Sequence, residues 1–205
     1  MTVTILIFPI GHCLGTHYSG GDPDDHVQQV RLGGEIVELT DHEFAVWSLA
    51  HGLVDEPEVV PGPWDRACVE DAFADSGVSN AAELVDQLLT RSLLAEVDVD
   101  SPAAADFARQ HRLLPLHLGL GNSAKYSTMF AAGTTEQPLV GMTKTLYDMW
   151  LWAHLAPNLL AACEERATSD SPDALGLLTA ALTTMHSLLA PSAACLDLAV
   201  PEYQP

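Results

Sequence analysis

At 205 residues, with 48% of them apolar and 18% charged, the chain has the composition of a folded globular protein and not of a disordered one. Its formal charge of −20 is uneven: residues 1–102 carry 3 Lys/Arg against 19 Asp/Glu, and residues 103–205 carry 5 against 9. A field of that sign repels nucleic acid and anionic lipid and favours a basic partner.

The first element in chain order is the β-rich apolar run TVTILIFPI. Together with the next residues it lacks the basic flank and small-residue cleavage site of a secretory signal, and no run of 18 apolar residues follows anywhere, so a cytoplasmic chain with no membrane segment is expected. The four cysteines, Cys13, Cys68, Cys163 and Cys195, form no CxxC pair and read as reduced thiols. Next comes HCLGTHYSGGDPDDH, in which His12, Cys13, His17 and His26 are candidate metal ligands. Their spacing matches no zinc-site pattern, a polar loop between strands explains them equally well, and no metal or other cofactor is expected.

VQQVRLGGEIVEL reads as two short strands around a Gly33-Gly34 turn. Thr40 then precedes DHEFAVWSLAHG as an N-cap, with Glu43 as its capping-box partner and Gly52 as a stop, so a helix is predicted here with Trp47 in the core. His42-Glu43 opens a zincin-like pair, but Val46 stands where the second histidine is needed. After the Pro/Gly-broken EPEVVPGP, a second helix is predicted over Trp64 to Phe73 and a third, capped by Asn80, over Ala81 to Ser92. The alternating LLAEVDVD reads as a closing strand, and DVDSPAAA as a boundary.

The second half follows the same order. YSTMFAAG and QPLV read as strands, Thr143 to Leu155 as a Trp-bearing helix, Pro157 as the first turn of the next, Asp173 to Leu189 as the last helix and Ala193 to Val200 as a closing strand. Aligned without gaps, Val37 to His51 and Val140 to His154 share Val37/Val140, Thr40/Thr143, Trp47/Trp150, Ala50/Ala153 and His51/His154. Pro9, Leu14 and Gly15 match Pro115, Leu120 and Gly121, and AELVDQLL (residues 82–89) matches LTTMHSLL (residues 182–189). A tandem duplication of an α+β unit is expected, residues 1–100 and 101–205. His51 and His154 then read as helix-end residues that could face each other across a pseudo-twofold axis. GLGNSA (residues 119–124) satisfies GxGxxA but precedes an extended segment, so no helix dipole faces a phosphate.

The order of strands, three helices and a terminal LLTRSLLAEV resembles a winged-helix module. More closely, VRLGGEIVELTDHEFAVWSLAHG followed by AAELVDQLLTRSLLAEV resembles the PqqD-like peptide-recognition modules, with Ser92 standing where they carry glycine. The resemblance covers roughly residues 27–99 and implies binding of an extended peptide along a strand and the adjacent helix. The residues it implicates here are Val30, Leu32, Ile36, Val85, Leu88 and Leu89. A non-enzymatic protein that binds a peptide or protein partner is therefore expected, with a DNA-binding regulator as the alternative and an acidic nucleic-acid mimic or an enzyme with an unrecognised site beyond it. Arg91, alone against Glu83 and Asp86 on the candidate recognition helix, argues against DNA.

Overall fold

A computed structural model describes residues 4–22, 24–53, 63–75, 80–167 and 173–200. The chain is α+β, and its first half runs β1 (Ile5–Pro9), β2 (His12–Tyr18), β3 (His26–Leu32), β4 (Glu35–Leu39), α1 (Asp41–Leu49), α2 (Arg66–Ala74), α3 (Ala81–Thr90) and β5 (Leu94–Asp98). After α4 (Pro102–Gln110) come β6 (His111–Pro115), β7 (Leu118–Gly121), β8 (Phe130–Gly133), β9 (Pro138–Met142), α5 (Lys144–Trp152), α6 (Leu159–Arg166), α7 (Ala174–Thr184), α8 (His186–Leu189) and β10 (Ala194–Leu198).

Both halves pair their strands in one way. The first and last strand of each half are antiparallel partners, β1 with β5 and β6 with β10, and the three between form meanders, β2-β3-β4 and β7-β8-β9. A bulge interrupts the first ladder of each meander, at Cys13/Gly15 and at Gly119/Gly121. Thr40 and Thr143 cap α1 and α5 with nearly the same backbone angles, and Thr40 completes the capping box with Glu43. Trp47 and Trp150 are both buried; their indoles donate to Ile10 O and Ala193 O.

The ends of the last helices correspond most closely. Leu93 N donates to Leu88 O and Ser92 N to Leu89 O; Ala193 N donates to Leu188 O and Ser192 N to Leu189 O. These are two Schellman motifs, in which the residue after the helix must enter the left-handed region. Serine does so in both, at φ 58° and 55°.

Several boundaries differ from the sequence expectation. The stretch around His12 and His17 is strand β2, not a loop, because it pairs along its length with β3. At the junction, α4 was not anticipated, although Ser101 caps it and Pro102 sits in its first turn. Pro157 precedes α6, whose cap is Asn158, and Asn80 makes no side-chain cap bond to α3. The last helix divides into α7 and α8 at Met185. Most of the EPEVVPGP loop lies outside the described residues. Each meander precedes the helices that follow in its half, α1 to α3 and α5 to α8, and β5 returns to β1, so no wing hairpin follows α3.

The halves have two cores joined through β1. Ile7 lies in the first-half core with Trp47, Val85 and Leu88, whereas Leu6, Phe8 and Ile10 lie in the second with Trp150, Leu159 and Leu196. This is strand alternation read on both faces, and it explains why Leu6, Ile7 and Phe8 are apolar in succession. Gly11 N donates to Leu196 O at 2.7 Å, and His186 Nε2 bonds Ile7 O at 2.8 Å.

Candidate functional site

The β3–β4 hairpin closes on Gly33 and Gly34, with Leu32 opposite Glu35. In such a two-residue hairpin the flanking pair exchanges both hydrogen bonds and the next pair does not, so the backbones of Ile36 and Glu38 face away from β3. Arg91 meets that outer edge: Nη2 donates to Glu38 O at 2.8 Å and Nη1 to Glu43 Oε1 at 2.6 Å. Glu43, only 14% exposed, uses its other oxygen on Thr40, so one carboxylate serves both the helix cap and Arg91.

In the second half β9 is likewise an outer strand, and among the described residues no arginine bonds its edge as Arg91 bonds that of β4. Val140 stands opposite Ala132 as Val37 does opposite Val30, which puts Gly141 at the place of Glu38. Leu146 replaces Glu43, and by the two Schellman motifs Pro191, which has no basic group, replaces Arg91. Beside this edge runs an open groove of about 430 Å³ between β9, the start of α5 and one face of α7. Its walls include Met129, Met142, Met149, Leu146, Leu177 and Ala181 and, among the described residues, no charged side chain.

The hydroxyls of Thr143, Thr184 and Ser187 on its walls are already engaged. Thr143 Oγ1 accepts from Leu146 N, Thr184 Oγ1 donates to Ala180 O, and Ser187 Oγ donates to Thr184 O. The groove offers apolar surface and, at Gly141, strand backbone that carries no side chain of its own, with Met129 Cε 3.3 Å from where a Cβ would stand. Three of the chain's five methionines line it, and methionine suits a surface that adapts to its occupant.

The residues implicated from sequence lie in the first half and divide sharply. Val30, Val85 and Leu88 have no exposed surface; Leu32 and Leu89 are half-buried against the cores; Ile36 is 59% exposed. A side chain with no exposure gives a ligand nothing to touch, so of these six Ile36 is the one that presents itself outright. The groove was missed because tertiary contact builds it. Gly141 within an apolar strand, with Met129, Met142 and Met149 near it, was the available signal.

Among the metal candidates, His12, Cys13 and His17 lie along β2, and His26 Nε2 is 3.1 Å from Asp41 Oδ2. The Gln28 amide and then His26 hold the Asp41 carboxyl below its usual range. Among the described residues, no three His, Cys, Asp or Glu side chains gather as a metal site would require.

The buried histidines serve the fold. His51 Nδ1 bonds Trp47 O and Ser48 O at the end of α1, and His111 Nδ1 bonds Phe107 O at the end of α4. Burial pushes His51 and His186 down to about 4, so His51 caps its helix as a neutral imidazole. His154 is exposed in the 3-10 turn after α5 while His51 lies beside His186, so His51 and His154 sit in unlike settings.

No family model, curated protein or solved structure matches the chain. The geometry of its own residues therefore carries the functional reading.

Proposed function

We propose that the chain is a non-enzymatic binding protein, made of two copies of one α+β unit, that captures an extended peptide segment of a partner protein in the second half. The segment adds to the β9 edge and sets alternate apolar side chains into the groove against α7. The carrying observation is the pairing of an outer strand edge at Gly141 with a groove beside it that, among the described residues, has no charged side chain. The PqqD-like order of elements supports the same mode of binding.

A duplex partner is disfavoured by charge, since Arg91 is engaged with Glu43 and Glu38. Among the described residues no helix is long and apolar enough to cross a membrane. The free thiols Cys13, Cys68, Cys163 and Cys195 fit a reducing compartment, and the cytoplasm is the location proposed.

Selection of displayed random peptides against the full chain tests the reading. Enriched peptides should alternate apolar residues, and Ala180→Arg, on an exposed position of the groove wall, should weaken them about tenfold or more without lowering the melting temperature. Gly141→Pro, which removes an edge N–H, should act in the same direction. No enrichment, or binding indifferent to both substitutions, would overturn it.

A further inference from the structure

Where the halves meet, the end of α3, β5, α4, the start of β6 and the end of β10 line an open cleft of about 350 Å³. Ala95, Phe107 and Leu198 give it apolar walls, and beside them stands His111, with 8% of its surface exposed. Its ring stacks on that of Phe107 with centroids 4.2 Å apart, which fixes its plane. The tautomer follows from the partner of Nδ1. That nitrogen is 2.8 Å from Phe107 O, a carbonyl that can only accept, so Nδ1 carries the proton and Nε2 is left with a bare lone pair. Burial holds the imidazole below the ordinary histidine range, against the pull of the Phe107 carbonyl and the Asp197 charge, and so keeps it neutral at neutral pH. Among the described residues nothing donates to Nε2, yet the atom is not sealed in. Arg112 Nε is the one fully buried side-chain nitrogen or oxygen among them without a partner, so His111 Nε2 reaches the solvent of the cleft that its ring lines.

We propose that this cleft is a binding site for a small primary amine with an apolar body, taken as the ammonium ion, which donates to His111 Nε2 while its carbon skeleton lies against Ala95, Phe107 and Leu198. The charge of the ligand follows from what surrounds the lone pair. Glu96 lines the cleft, is exposed and has no ion-pair partner among the described residues; Asp106 lines it too, its carboxylate bonded by Arg109. Among the described residues no Lys or Arg lines the cleft. An anion would therefore meet a lone pair and two carboxylates, whereas an ammonium brings N–H donors and no acceptor. A metal ion fits less well, because among the described residues no three His, Cys, Asp or Glu side chains gather around it. His111, Phe107 and Leu198 lie beyond residues 27–99 and outside the β9 groove, so the site depends neither on the PqqD-like order of elements nor on strand addition.

The experiment titrates benzylamine, protonated at neutral pH, into the full chain, beside benzyl alcohol and benzoate, which carry the same ring with a neutral and an anionic head. Long-range proton–nitrogen NMR spectra read the two ring nitrogens of His111 directly. In the free chain Nδ1 should give the signal of a protonated nitrogen and Nε2 that of an unprotonated one. Benzylamine should move the Nε2 signal saturably, with a Kd of about 1 mM or tighter, benzyl alcohol should bind more weakly, and benzoate should leave the signal where it is. Glu96→Gln, at an exposed position, should weaken benzylamine by about threefold, the scale of an exposed ion pair, without changing the melting temperature. His111→Phe keeps a ring to stack on Phe107 but no lone pair, and should weaken it by about tenfold or more. Should that variant not fold, the Nε2 signal and Glu96→Gln decide. A protonated Nε2 in the free chain, an Nε2 signal unmoved by about 10 mM benzylamine, equal binding of benzyl alcohol or benzoate, or wild-type affinity in Glu96→Gln would each overturn the proposal.

Discussion

Asp197 on β10 and Arg31 on β3 join the halves through a pair in which the acid has no exposed surface: Arg31 Nη1 reaches Asp197 Oδ2 at 2.8 Å. The other oxygen accepts from Gly33 N at 2.7 Å and Leu198 N at 2.9 Å. Gly33, in the left-handed region at φ 59°, brings the hairpin turn close enough for its N–H to donate. Arg112 reaches Oδ2 at 3.4 Å with its Nε buried and unpartnered, so Arg31 is the stronger arm.

Removing one partner of a buried pair leaves uncompensated charge, so Asp197→Asn should lower the unfolding free energy by about 3–5 kcal/mol in urea titrations at neutral pH. Burial alone would raise the Asp197 carboxyl, but the Gly33 and Leu198 amides and Arg31 bring it below its ordinary range. Its contribution is thus present above the unfolded value near 3.9 and is lost as pH falls below it. An unchanged midpoint in the variant would show that the hub does not hold the halves together.

The neutral histidines place a second pH dependence at milder acidity. Both His51 and His186 sit at about 4, against about 6.5 for the unfolded chain, and His186 stacks on Phe8 with ring centroids 5.1 Å apart. Their folded values are depressed, so stability is full above about pH 6.5 and falls as pH drops toward about 4, while the unfolded chain takes up protons that the native state refuses. Each group gives a slope of about 1.4 kcal/mol per pH unit within that window. Thermal melts across it should show the slope in the wild type and about half of it in His186→Gln; an equal slope in both would exclude His186.

The left-handed serines offer a gain. A non-glycine residue there costs about 1–2 kcal/mol, and glycine itself costs about 0.5–1 kcal/mol in chain entropy. Ser92→Gly and Ser192→Gly should therefore each stabilise by about 0.5–1 kcal/mol, additively because they lie in different halves. Calorimetry of the double variant checks this, and a lower melting temperature would mean that the serines make contacts worth more than their strain.

Local chemistry was legible in the sequence wherever neighbouring residues determine it. The Thr40–Glu43 capping box, the Gly33-Gly34 hairpin and the buried places of Trp47 and Trp150 all stand where spacing put them, while Thr143, read as the start of a helix, is the cap of α5. Helix α4 went unread because its Ser101-Pro102 start lies inside a stretch that also reads as a linker. The implicated residues followed apolarity, which marks a core as readily as a binding face; that is why Val30, Val85 and Leu88 proved to be interior. The groove depends on α7 lying beside β9, residues far apart in the chain, and no window of sequence contains both.

Sharing β1 between two cores sets an order of events during synthesis. When the first half has left the ribosome, Ile7 can bury itself at once and Phe8 soon meets Phe107 on α4, but Leu196, which lies beside Ile10, is about 100 residues from being made. The nascent chain must therefore hold part of an apolar strand face open until β10, translated after the other elements described, arrives beside Ile10. Slow passage of a ribosome through the second half lengthens that interval, and with it the exposure of the growing chain to chaperones and to aggregation.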